Sequence, residues 1–214
     1  MKQCVLTLAI SLVLTGCMVP IGSKPAEAKP ALASPVTPSI ANKAANKNAG
    51  FDRTLTEQGI TFHVTSPNNG SINPLRIQPA GLKADNALIE REIGGTVTNV
   101  EVADLNVDGS PELYIYVTSA GSGSHGSLVA YSVNKGKSLS EIYLPPLEED
   151  KAASKGYMGH DEFAVVENTL VRRFPVYKDG DTNSQPTGGT RQIQYKLKAG
   201  EAGWILRPDK IVNY

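Results

Sequence analysis

Two short stretches of this chain hold residue types that could do chemistry. The first is Ser119–Ser127, with four Ser, three Gly and one His in nine residues. Serine hydroxyls could attack or donate, a histidine could move a proton, and glycine lets a backbone come close to a ligand. The segment Gly121-Ser122-Gly123-Ser124-His125-Gly126 spells G-x-G-x-x-G. That pattern cradles a pyrophosphate only when a helix follows, because the helix N-terminus holds the anion. Here Leu128–Val133 reads as a strand, so a nucleotide is not expected. No Ser has Gly at both the second preceding and second following positions, which removes the nucleophile-elbow pattern. A Ser-His-Asp hydrolase would need Asp104 brought in by geometry that the spacing does not indicate. The residues suit a binding surface, not an enzyme.

The second stretch is Asp104-Leu105-Asn106-Val107-Asp108-Gly109-Ser110-Pro111-Glu112. Alternating oxygen donors, a Gly and a later Glu match the spacing of short calcium loops. The same residues make a tight turn in which Asp and Asn side chains bond their own backbone. The turn is the expectation, and a structural calcium on Asp104, Asn106, Asp108 and Glu112 is its alternative. No other cofactor is expected. In His160-Asp161-Glu162, neighbours on a strand would face opposite ways, so a hydrogen-bond network is expected there instead of a metal.

Strands must position both stretches. Alternating or β-branched runs occur at Ile60–Thr65, Thr96–Val102, Glu112–Thr118, Leu128–Val133, Leu139–Leu144, Glu162–Val166, Leu170–Val176, Arg191–Leu197 and Trp204–Leu206. Gly, Asn and Asp turn residues separate them. In Glu112–Thr118, Leu113, Ile115 and Val117 share one face and Tyr114 and Tyr116 the other. The pattern predicts a mostly β fold, an antiparallel β-sandwich, with one short helix over Leu147–Lys155. Exposed edge strands would allow a homodimer.

The first fifty residues read differently. Cys4–Thr15 is an apolar run too short to span a bilayer and of signal-peptide length. It leads into Leu14-Thr15-Gly16-Cys17, which resembles a bacterial lipobox. That resemblance implies a signal peptide over 1–16, lipidation of Cys17 and, with Met18 following, placement at the outer membrane facing the periplasm. Residues 17–50 hold five of the fourteen prolines and no aromatic residue, the composition of a solvated tether. Residues 51–214 are the size of one domain. With the cysteines at 4 and 17 only, that domain holds no disulfide and no thiol nucleophile. Lys plus Arg equals Asp plus Glu, 21 each, and no basic run appears, so nucleic acid is not an expected partner. Contact with a membrane is expected through the lipid anchor alone.

The residues from Val102-Ala103-Asp104-Leu105-Asn106 through Glu112–Val117 into Ser119–Ser124 resemble the periplasmic inhibitors of invertebrate-type (i-type) lysozyme. Tyr143–Leu147, Gly156–Phe163, Arg173–Tyr177, Gly180–Asn183 and Gly188–Arg191 extend the likeness. The resemblance implies a non-enzymatic β-sandwich whose partner is i-type lysozyme. It assigns lysozyme contact to Ser122, Gly123, Ser124 and His125, in a Ser-Gly-x-x-Tyr type motif, with His125 standing where Tyr is expected. The alternative expectation is a calcium-stabilised envelope module that binds glycan or protein without inhibiting.

Overall fold

The structure, a computed structural model, describes residues 50–214. The expected signal peptide, Cys17 and all but the last residue of the tether lie outside the described residues.

Among the described residues, twelve strands form two sheets. A four-stranded meander contains β1 (Phe51–Glu57), β2 (Ile60–Ser66), β3 (Asn73–Ala80) and β4 (Ile89–Ile93), in that order. The larger sheet contains β5 (Thr96–Ala103), β6 (Glu112–Thr118), β7 (Gly126–Asn134), β8 (Ser138–Tyr143), β9 (Glu162–Val166), β10 (Thr169–Pro175), β11 (Thr190–Ala199) and β12 (Trp204–Asn213). Its order is β5-β6-β7-β8-β12-β11-β10-β9. Every pairing is antiparallel except β8 with β12, which run parallel at Ile142, Tyr143, Trp204 and Ile205. The expectation of an antiparallel sandwich is corrected to this extent: the chain leaves β8 and returns to the same sheet through a long connection, and one parallel seam results. The large sheet curls until its first and last strands approach, with the Val165 N–H of β9 donating to the Glu101 carboxylate of β5 at 2.7 Å.

Strand β6 explains why both layers exist. Its side chains are buried on both faces from Glu112 to Val117. Leu113, Ile115 and Val117 point into one core, where Phe62, Val64, Leu75 and Ile77 of the small sheet meet Val100, Val129 and Val133. Tyr114 and Tyr116 point into the other, with Leu170, Phe174, Ile193, Leu197 and Leu206 inside the curl. A strand that is apolar on alternate faces can be covered twice, and burying a large apolar side chain contributes about 1.5–3 kcal/mol.

The expected helix over Leu147–Lys155 is a single 3₁₀ turn, Leu147–Glu149. Asp150 is extended, and its carboxylate accepts the N–H groups of Ala152 and Ala153. That side-chain cap starts a new turn where a helix would have continued. Among the described residues no helix is long and apolar enough to cross a membrane.

Truncating the doubly covered strand should be severe. Leu113→Ala is expected to lower the free energy of unfolding by about 2–5 kcal/mol, read from the midpoint of urea denaturation of the full chain.

Candidate functional site

The hairpin between β6 and β7 presents the Ser/Gly stretch. Strand β7 begins at Gly126, two residues earlier than Leu128, so the loop proper is Ser119–His125. Its closure is local and tight. The Ser119 N–H donates to the His125 carbonyl at 2.9 Å, and the His125 N–H returns to the Ser119 hydroxyl at 2.9 Å. The Ser124 N–H donates to the Gly121 carbonyl, with Ser124 at φ 44°, in the left-handed region that non-glycine residues seldom adopt. Ala120, Gly121 and Ser122 are exposed at the tip, and Gly123 and Ser124 are half-buried.

A loop of this Ser/Gly composition suits a flexible protrusion, but the structure fastens it to the domain. The turn Tyr157–Asp161 lies against the loop. The His160 N–H donates to the Gly123 carbonyl at 2.7 Å. Gly159 sits at φ +98°, and a Cβ there would lie 2.0 Å from the Gly123 oxygen. Only glycine allows this approach. From a second side, the Asn183 Nδ2 donates to the Ser122 carbonyl at 2.8 Å. The His125 ring meets the Tyr157 ring edge-on, with centroids 5.5 Å apart.

Beneath the loop is a buried charge pair. The Arg172 Nε donates to Asp161 Oδ1 at 2.6 Å, with side-chain exposures of 6% and 0%. Asp161 Oδ2 accepts from the Tyr157 hydroxyl at 2.6 Å and from the Gly126 N–H at 2.7 Å. The Arg172 Nη2 donates to the Tyr157 oxygen at 2.9 Å. The guanidinium also lies 5.1–5.8 Å from the ring centroids of Tyr157, Phe163 and Phe174, within cation–π range. Burial opposes the Arg172 charge, and the Asp161 carboxylate more than offsets it, so the guanidinium is held above its usual range. Burial, then Asp161, pushes the Tyr157 hydroxyl up, so it stays a donor. Gly126 opens β7, so this network fixes where the loop ends. Of the expected hydrogen-bond network at His160-Asp161-Glu162, His160 and Asp161 take part, and its centre is a buried ion pair. Sequence reasoning missed Arg172, because nothing local in the strand distinguishes it from its neighbour Arg173.

The acidic stretch folds as a turn that ties its own backbone. Asp104 accepts the N–H groups of Asp108 and Gly109 at 3.0 and 2.8 Å. Asp108 accepts the Ser110 N–H at 2.8 Å, and the Asn106 Nδ2 donates to Asp108 at 2.9 Å. The Leu105 N–H donates to Glu112, which is fully buried. Carboxylate oxygens of Asp104, Asp108 and Glu112 lie within 4.8 Å of one another. The fold thus brings Asp104, Asn106, Asp108 and Glu112 together, and their side-chain oxygens accept backbone N–H groups of the turn. Burial, then the charges of Asp104 and Asp108, pushes Glu112 up to about 7.

Residues 83–155 match the family model described as periplasmic lysozyme inhibitor of I-type lysozyme. The matched span contains both stretches and bears out the resemblance read from Val102–Ser124. The family so described consists of protein inhibitors of lysozyme, not enzymes. No curated protein and no solved structure matches the chain.

Two outcomes test the buried chemistry. Asp161→Ala should lower stability by about 3–5 kcal/mol, because it strands the Arg172 charge. A double variant, Asp161→Ala with Arg172→Met, should recover part of that loss in the same denaturation assay. For Glu112, the folded state holds its proton to a higher pH than the unfolded chain does. Stability should therefore fall as pH rises from about 4.5 to about 7, by roughly 1–3 kcal/mol, in buffer containing a chelator. Glu112→Gln should remove that slope.

Proposed function

We propose that this chain, whose residues 83–155 match the family model of periplasmic lysozyme inhibitors of I-type lysozyme, blocks that enzyme with the loop Ser119–His125. The observation that carries this reading is a tip left open on a stem that is fastened. Ala120–Ser122 are exposed, while the carbonyls of Ser122 and Gly123 are both engaged by the domain behind them. A lysozyme hydrolyses glycan with two carboxyl groups in a cleft. A narrow tip of Ala, Gly and Ser can enter such a cleft without bulky side chains to clash. The Ser122 hydroxyl then donates to a catalytic carboxylate, and a hydrogen bond to a charged group contributes about 1.5–3 kcal/mol. Gly123 and Ser124 shape the approach. His125, where the family motif expects Tyr, adds a donor at the rim and packs its ring on Tyr157.

The loop loses little freedom on docking because it is already ordered, and pre-organisation of this kind favours tight binding. Lipidation at Cys17 holds the protein at the outer membrane on its periplasmic side. The tether over 17–50 gives the domain reach toward an incoming lysozyme, so that peptidoglycan is protected at the site of attack.

The full chain is expected to inhibit i-type lysozyme and to leave chicken-type lysozyme active. Ser122→Ala should weaken inhibition roughly ten- to hundredfold with unchanged melting. Equal inhibition by Ser122→Ala and the native chain would remove the loop from the mechanism.

A further inference from the structure

A second exposed turn stands beside the Ser122 loop and is built with the same stiffness. It is the stretch Lys178–Thr187, between β10 and β11. The Asp181 carboxylate accepts the N–H groups of Lys178 and Thr187 at 2.7 and 2.8 Å and the Thr187 hydroxyl at 2.9 Å. These backbone donors hold Asp181 below the usual carboxylate range, so the clasp is charged and intact at neutral pH. Within it, Thr182 pairs with Gln185, and the Gln185 N–H donates to the Thr182 carbonyl at 3.0 Å. The tip is set against the rest of the domain by one residue. The Asn183 carbonyl accepts from the Tyr177 hydroxyl at 3.0 Å, and its amide nitrogen donates to the Ser122 carbonyl at 2.8 Å. Its amide oxygen faces His160 Nε2 at 3.2 Å, so that nitrogen carries the proton in this arrangement. Thr182, Ser184, Gln185 and Pro186 are exposed around Asn183.

The seven hydrogen bonds named above give this exposed turn a fixed shape, and Asn183 seats that shape directly against the Ser122 loop. Lys178 and Asp179 are exposed where the turn begins, but the exposed groups around Asn183 are uncharged: two hydroxyls, a carboxamide and a proline. A cleft that binds a hydroxylated, N-acetylated glycan is lined with partners for hydroxyl and amide groups. We propose that Thr182–Gln185 is a second contact element for the same i-type lysozyme, seated in the glycan cleft next to the part that Ser122 enters. This inference rests on the inhibitory reading above and names a further surface for it. Asn183 then has two tasks, since it aims the Ser122 backbone and joins the two contacts into one rigid face.

The test compares the full chain with Ser184→Trp, Gln185→Ala and, as a control on the exposed face of β1, Thr54→Trp. Inhibition constants for i-type lysozyme are measured with melting temperatures. Ser184→Trp is expected to weaken inhibition at least about tenfold, the equivalent of 1.4 kcal/mol. Gln185→Ala is expected to weaken it roughly two- to tenfold, the range of one neutral hydrogen bond, and Thr54→Trp to leave it unchanged. Gln185→Ala carries the decision if Ser184→Trp does not fold. Native-level inhibition by both turn variants, with the native chain active, overturns this inference alone. Failure of the native chain to inhibit overturns the inhibitory reading and this inference with it.

Discussion

The Asp161–Arg172 pair is the constraint on which the presented surface depends. Moving a carboxylate and a guanidinium out of water costs several kcal/mol for each, so such a pair survives only with excellent geometry and further hydrogen bonds. Both conditions are met. Asp161 accepts from Arg172, Tyr157 and the Gly126 backbone, and three aromatic rings surround the guanidinium. The partners come from β10, from the turn before β9 and from the first residue of β7. A shift of β10 or of the turn would leave a buried charge unpaired, and a shift of β7 would take one hydrogen bond from the buried Asp161 carboxylate. The loop that ends at Gly126 therefore inherits its position from an interaction it takes part in through a single backbone N–H.

The same logic operates one strand away. Tyr116 of β6 donates its hydroxyl to Glu101, and Glu101 also accepts the Val165 N–H. Burial, then Glu101, pushes the Tyr116 hydroxyl up, so it remains a donor. Phe163 stacks on the Tyr116 ring at 5.7 Å and also faces Arg172. The closure of the curled sheet and the fastening of the loop thus share Phe163. A side chain that belongs to the inner core also serves the functional edge, which is why the loop behaves as an extension of the fold.

Much of this was legible from the sequence where the apolar period was clear. Strand β6 was located to the residue, with both faces assigned, because five alternating apolar and aromatic residues leave little choice. Three strands of the small sheet escaped notice for physical reasons. Strand β1 exposes most of its side chains, and β4 carries the charged run Glu90-Arg91-Glu92. Strand β3 contains Pro74 and Pro79, which argue against an inner strand. The sheet accommodates both by offset: Pro74 pairs only toward β4 and Pro79 only toward β2. The tip of the candidate site was legible as composition. Its rigidity was not, because it arises from contacts made 35 to 61 residues away in sequence, by Asp161 and Asn183.

A glycine- and serine-rich loop is usually a sign of freedom, and here the same residues serve the opposite end. Small side chains allow neighbouring backbone to approach until carbonyls of the loop meet donors of the domain. Gly159 illustrates the point, since any side chain there would collide with the Gly123 oxygen. In the proposed inhibitory role this serves two ends. A fixed loop loses little entropy on binding, and a slim one enters a cleft shaped for sugar. Bulk would supply stiffness at the expense of access, and mobile glycines would supply access at the expense of affinity. Hydrogen bonds from behind the loop, to carbonyls and not to the Ser122 side chain, reconcile the two demands and leave a hydroxyl exposed at the tip.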